Sequence, residues 1–190
     1  MSGRSNGRRK TARVAASAAL LLTMLVVAGC GGPGDTPSAA EADGGGGTES
    51  SGAGGAASAK IETLDGEEFD LAEKRGEVVA LYFIAGWCST CIPEAQAWSE
   101  LYPAYRDKGV ELLLVSADPN DTPQTIERFW RAAGIDPLPV AIDGTGEITR
   151  ALGVSALDST IIIDREGKVA YRDAVPTDAE TLEKELKEVL

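Results

Sequence analysis

Val78-Val79-Ala80-Leu81-Tyr82-Phe83-Ile84-Ala85-Gly86-Trp87-Cys88-Ser89-Thr90-Cys91 runs an apolar stretch straight into a Cys-x-x-Cys pair. Seven residues without polar alternation read as a central strand covered on both faces. The pair opens a helix-like segment in which Ala95, Trp98, Leu101, Tyr102 and Tyr105 recur at helical spacing until Lys108-Gly109. Two thiols three residues apart at a helix start can close into a small disulfide ring. The first sulfur would face free backbone N–H groups that stabilise its thiolate. Redox chemistry is the reading this favours. Half of a zinc site and a merely structural disulfide are the alternatives. The first lacks a second Cys pair and any histidine. The second closes too short a loop to remove much entropy from the unfolded chain.

Outward from this centre the pattern alternates strand and helix. Ile61 and Leu64 with Phe69 and Leu71 flank the turn Asp65-Gly66. Val110 to Val115 forms a second buried strand, and Asp121-Thr122-Pro123 starts a helix through Ile126, Phe129 and Trp130 to Gly134. A short strand near Pro139 to Ile142 and a helical turn through Ile148 and Leu152 follow. Thr160 to Ile163 and Val169 to Arg172 pair around Asp164-Arg165-Glu166-Gly167-Lys168, and a last helix covers Thr177 to Leu190. The fold class is α/β, a three-layer sandwich with a central mixed sheet flanked by helices.

The ends of the chain divide its 190 residues into three parts. Residues 1–29 hold Arg4, Arg8, Arg9, Lys10 and Arg13, then an apolar run from Val14 to Ala28, as an export signal does. Val27-Ala28-Gly29-Cys30 resembles the bacterial lipobox, which makes Cys30 the lipidated residue; the motif more often has Leu where Val27 stands. An uncleaved signal anchor with a free thiol at Cys30 is the alternative. Residues 30–58 are rich in Gly, Ala and Ser and read as a flexible tether, with a reach of roughly 30 Å. Residues 59–190 are long enough for one domain. The formal charge of −12 becomes more negative once the basic signal is removed, which argues against nucleic acid as a partner and against attraction to anionic headgroups.

The strand order, with Trp87-Cys88-Ser89-Thr90-Cys91 at the end of the first central strand, resembles the thioredoxin fold. Within it the chain is most similar to the TlpA-like branch of exported, membrane-anchored thiol–disulfide oxidoreductases in the AhpC/TSA–thioredoxin superfamily. The likeness also rests on Glu94, on Leu152-Gly153-Val154 leading into Thr160 to Asp164, and on Gly167-Lys168-Val169. It implies Cys88 as attacking thiol, Cys91 as buried resolving thiol, a redox-active Cys88–Cys91 disulfide, Glu94 as a proton relay and Trp87 as a shield over the disulfide. For Glu94 a solvated carboxylate in the first helical turn is the competing reading. No organic cofactor is expected, because the two sulfurs carry both electrons, and no resident metal is expected. The partners implied by the resemblance are exported cysteine proteins such as apocytochrome c as substrates, with a membrane thiol transporter of the CcdA/DsbD type as electron donor. The place of work is the extracytoplasmic face of a bacterial membrane, reached by a lipid anchor, and a monomer is expected.

One departure stands out. The family usually has a cis-proline just before the strand beside the active site, and Asp158 falls there. A cis bond before a non-proline residue costs about 2.5–4 kcal/mol, so Leu157–Asp158 is expected to be trans. The backbone before the proline pairs with substrate in the family, which makes Leu157 and Asp158 candidates for docking. An aspartate about 5 Å from a Cys88 thiolate would repel it by roughly 3 kcal/mol at an effective dielectric near 20. It could instead take the proton of Cys88, complete a metal site with the two sulfurs, or turn to solvent. Two rivals to protein thiol–disulfide exchange follow. A peroxiredoxin-like peroxidase would favour threonine three residues before its reactive cysteine, where Cys88 has Ala85. A tethered metal-binding module of the related copper-carrier kind would want Cys-x-x-x-Cys and a distal histidine, and both are missing.

Overall fold

The computed structural model describes residues 59–190; the segments expected as export signal and tether, and Cys30, expected as the lipidated residue, lie outside the described residues. The elements are β1 (Lys60–Glu62), β2 (Glu68–Asp70), β3 (Val78–Ile84), α1 (Ile92–Arg106), β4 (Val110–Ser116), α2 (Pro123–Ala133), β5 (Val140–Ile142), α3 (Glu147–Ala151), β6 (Ser159–Ile163), β7 (Val169–Arg172) and α4 (Ala179–Val189). Strands β1 and β2 form the hairpin around Asp65-Gly66, and the other five make one sheet in the order β5-β4-β3-β6-β7. Neighbours β4 and β5 run parallel to β3, while β6 is antiparallel to it and β7 antiparallel to β6. The mixed sheet expected from the alternation is therefore present. No helix among the described residues is long and apolar enough to cross a membrane.

Strand β3 is central and buried along its whole length, as an uninterrupted apolar run requires. Its alternating side chains split the core. Val78, Ala80, Tyr82 and Ile84 face Trp98, Tyr102 and Tyr105 of α1, Ile126, Phe129 and Trp130 of α2, and Leu182 and Leu186 of α4. Val79, Leu81 and Phe83 face Phe69, Leu71, Ile148 and Leu152 on the opposite side. Three helices thus cover one face, and the β1–β2 hairpin with the short α3 covers the other.

The helix bounds have local causes. Thr122 caps α2 through its hydroxyl and Thr125, Pro123 sits at the first turn where no N–H is needed, and Gly134 ends the helix in the left-handed region. Asp178 caps α4 by accepting from the Thr181 N–H. Helix α1 begins only after Cys91, which is its N-cap residue, so Cys88 lies in the preceding turn with its N–H donating to the Ala85 carbonyl.

Candidate active site

Cys88 and Cys91 are joined in a disulfide at the C-terminal end of β3, with their Cα atoms 5.4 Å apart. Cys91 is fully buried and Cys88 retains 4% of its exposure, so the outer sulfur belongs to the residue expected to attack. The loop that carries them is braced from the neighbouring strand. The Gly86 N–H donates to Asp121 Oδ2 at 2.6 Å, and the Ser116 hydroxyl at the end of β4 donates to the same oxygen. A Cβ on residue 86 would meet Asp121 Oδ1 at 2.8 Å and the Thr125 backbone at 3.1 Å. Only glycine lets the loop approach so closely. Trp87 projects outward, 69% exposed, and its indole N–H donates to Asp118 Oδ2 at 2.6 Å. The backbone and side chain of Asn120 and the Trp87 indole hold the Asp118 carboxyl below the usual range.

Asp158 directly precedes β6, and its peptide bonds are trans, since no cis bond occurs among the described residues. Its backbone adopts φ 56°, the one non-glycine residue described with a positive φ, a conformation costing about 1–2 kcal/mol for most side chains and less for aspartate. The Asp158 N–H donates to the Phe83 carbonyl at 3.0 Å, joining the loop to β3. This position therefore differs from a proline position in both respects. A proline could neither adopt that φ nor supply that N–H. The solvent-facing reading of Asp158 is overturned: its side chain is buried, and its carboxylate and the two sulfurs all lie within 4.8 Å of one another. Leu157 is half-buried and packs against the helix-covered face of the core.

Tyr82 connects these parts. Its hydroxyl lies 2.9 Å from the Cys91 carbonyl and 2.6 Å from Asp158 Oδ1, so one phenolic proton faces two acceptors. Burial, followed by the Glu94 charge and the bond to Asp158, raises the phenol far above its ordinary pKa and keeps it protonated. The apolar run around Tyr82 reads as strand and core, which is correct, but gives no sign that its hydroxyl would lie beneath the cysteines.

The alternative reading of Glu94 as a solvated first-turn carboxylate also fails, because its side chain is fully buried. Thr160, whose Cα pairs with that of Tyr82 across the β3–β6 register, donates its hydroxyl to Glu94 Oε1, and the Thr177 N–H donates to Oε2 at 2.8 Å. Burial raises the Glu94 carboxyl to about 7, against the lowering effect of these two donors. Asp173 extends the network by accepting from the Thr160 N–H, the Tyr171 hydroxyl and the Thr177 hydroxyl. Burial and the bond to Asp173 push the Tyr171 phenol up to about 12. No spacing motif marks Asp173 or Thr177, which reach Glu94 only through the tertiary fold.

The chain that carries this disulfide loop at the end of β3 matches known proteins along most of the described domain. The Redoxin family model matches residues 52–190. The chain belongs to the Redoxin family. Thiol-disulfide oxidoreductase ResA of Bacillus thuringiensis subsp. konkukian is 35% identical over 129 residues, covering 68% of this chain and 73% of that protein. A thioredoxin-like protein from Aeropyrum pernix superposes with a TM-score of 0.58 at 26% identity, covering 70% of this chain and 90% of that one. DsbF of MTB superposes with a TM-score of 0.64 at 20% identity, covering 72% and 98%. This Redoxin-family chain is a thioredoxin-fold thiol–disulfide oxidoreductase, with its Cys-x-x-Cys at Cys88 and Cys91.

Proposed function

We propose that the protein reduces disulfides of exported proteins outside the cytoplasm. The observation that supports this reading best is the asymmetry of the pair: Cys91 is sealed in the core while Cys88 keeps an outward edge. The Cys88 thiolate attacks one sulfur of a client disulfide, forming a mixed disulfide and releasing the client's other sulfur as a thiolate. The Cys91 thiolate then attacks Cys88 Sγ, closing Cys88–Cys91 and releasing the second client thiolate. Two electrons pass to the client, and no organic cofactor is needed to carry them. Glu94, buried three residues beyond Cys91 and held near neutrality, relays the proton that Cys91 gives up. Trp87, next to Cys88 in the chain, Leu157, packed on the core cluster that includes both cysteines, and Asp158, within 4.8 Å of the sulfurs, serve client docking, with Asp158 also serving proton transfer.

The lipobox-like Val27-Ala28-Gly29-Cys30 and the Gly-rich segment to residue 58 support a lipid-anchored domain on the outer face of the cell membrane. Apocytochrome c is a fitting client class, and a membrane thiol transporter of the CcdA/DsbD type a fitting electron donor. The test is the equilibrium potential of Cys88/Cys91 against a dithiothreitol couple, together with turnover of a protein disulfide. A potential well below the extracytoplasmic poise and loss of turnover in the double serine variant are expected. A potential near the oxidising end, about −120 mV, would reverse the proposed direction.

A further inference from the structure

The geometry points to a zinc site in the reduced protein, built from Cys88 Sγ, Cys91 Sγ and an Asp158 carboxylate oxygen. Four observations carry it. First, these three ligand atoms already lie within 4.8 Å of one another. Ligands of a tetrahedral zinc ion, with Zn–S about 2.3 Å and Zn–O about 2.0 Å, stand roughly 3.5–3.8 Å apart, so only a side-chain adjustment separates this arrangement from a coordinating one. Second, Asp158 is buried yet forms no ion pair among the described residues; its side chain meets only the Tyr82 hydroxyl. Third, Asp158 holds a left-handed backbone, unusual for any residue but glycine, at the position whose carboxylate lies beside the sulfurs. Fourth, Tyr82 contacts Oδ1 and the Cys91 carbonyl together, leaving Oδ2 free and supplying the outer hydrogen bond that orients a metal-bound carboxylate.

The charges agree. Two thiolates and Asp158 would bring three negative charges into a buried site, and the other charges felt by the adjoining Tyr82, those of Glu94 and Asp173, are also acidic. A divalent cation relieves that repulsion. The mixed sulfur and oxygen donors suit zinc, whereas copper(I) prefers soft ligands throughout. Three protein ligands leave a fourth position for water, on the side where Cys88 retains its exposure.

The site is gated by oxidation state. In the disulfide the sulfurs are bonded to each other and cannot hold a metal. A dithiol reductant supplies two electrons and two protons, giving two thiols and its own disulfide. Zinc then displaces the two thiol protons to water as it binds. Bound zinc would occupy both sulfurs and so block exchange.

This inference shares with the proposed function only the premise that Cys88–Cys91 can be reduced. The test uses the full chain carrying Cys30→Ser, reduced, freed of reductant and titrated with Zn2+ against a chromogenic chelator. Co2+ serves as the spectroscopic probe. One zinc per reduced chain, a sulfur-to-cobalt charge-transfer band and no binding by the oxidised chain are expected. Asp158→Gly, which accepts the same backbone angle, and Asp158→Asn should each weaken zinc binding by at least about tenfold, and Tyr82→Phe by roughly tenfold. Both Asp158 variants must retain two titratable thiols and a folded circular dichroism spectrum. Absence of stoichiometric zinc in the reduced parent overturns the site, as does undiminished binding in either folded Asp158 variant. Protein disulfide turnover measured in chelator separates the two readings. A chain that exchanges without binding zinc refutes the metal site alone, and one that binds zinc without exchanging refutes the reductase alone.

Discussion

Replacing Glu94 with glutamine should abolish a large pH-dependent penalty that the folded protein carries. The buried carboxyl titrates at about 7 against an ordinary 4.5. At 1.36 kcal/mol for each tenfold change in proton affinity, that difference is worth about 3 kcal/mol. The sign follows from which state holds the proton. Below pH 4.5 the group is protonated in both folded and unfolded chains and no penalty exists. Between 4.5 and 7 the unfolded chain ionises first, so folding loses stability as pH rises, and above 7 the full cost is present. Glutamine keeps the shape, accepts from the Thr177 N–H and donates to the Thr160 hydroxyl. Urea unfolding of the oxidised chain from pH 4 to 8.5, with and without Glu94→Gln, isolates this group because the other titrations are common to both curves. The parent should fall relative to the variant by about 3 kcal/mol across that window and run parallel to it above. A constant difference, or a parent that gains on the variant with rising pH, would refute the reasoning.

Other consequences follow from the loops on either side of the disulfide. Asp158→Pro removes an N–H bonded to Phe83 and forbids φ 56°, so it should destabilise the domain by about 3 kcal/mol or more in the same urea assay, despite placing the family's usual residue there. Gly86→Ala drives a methyl group into Asp121 and the Thr125 backbone and should cost about 1–3 kcal/mol. Asp121→Ala leaves the Gly86 N–H and the Ser116 hydroxyl without an acceptor, at about 1–3 kcal/mol. Since the last two disturb one contact, the double variant should lose less than the sum of the singles, and strict additivity would argue that they act separately.

The strands and helices were legible because their signals are local. An apolar run of strand length reported β3, 3.6-residue spacing reported α1, and Gly and Asp punctuation reported both hairpins. The cysteine pair was legible for the same reason, being one short motif. Glu94 was visible as a residue but not as an environment: a charge in a first helical turn looks alike whether it meets water or Thr160, and only the β3–β6 register decides. Asp158 was conspicuous through a family comparison, yet its left-handed backbone and its contact with Tyr82 depend on how the loop before β6 docks on β3. Tyr82 and Asp173 carry no mark in the sequence, because their contacts come from neighbours far along the chain. Nothing in an apolar strand singles out the one position whose polar tip will meet the Cys91 carbonyl and Asp158.

The bond from Thr177 to Glu94 spans 83 residues and fastens the segment before the last helix to the first turn after the cysteines. Trimming the chain back past that threonine would strip an acidic group of a donor it has no water to replace. The stretch that leads into α4 is therefore fastened to the helix that follows the cysteines, and a change that loosens it would be felt first at the buried Glu94 carboxyl.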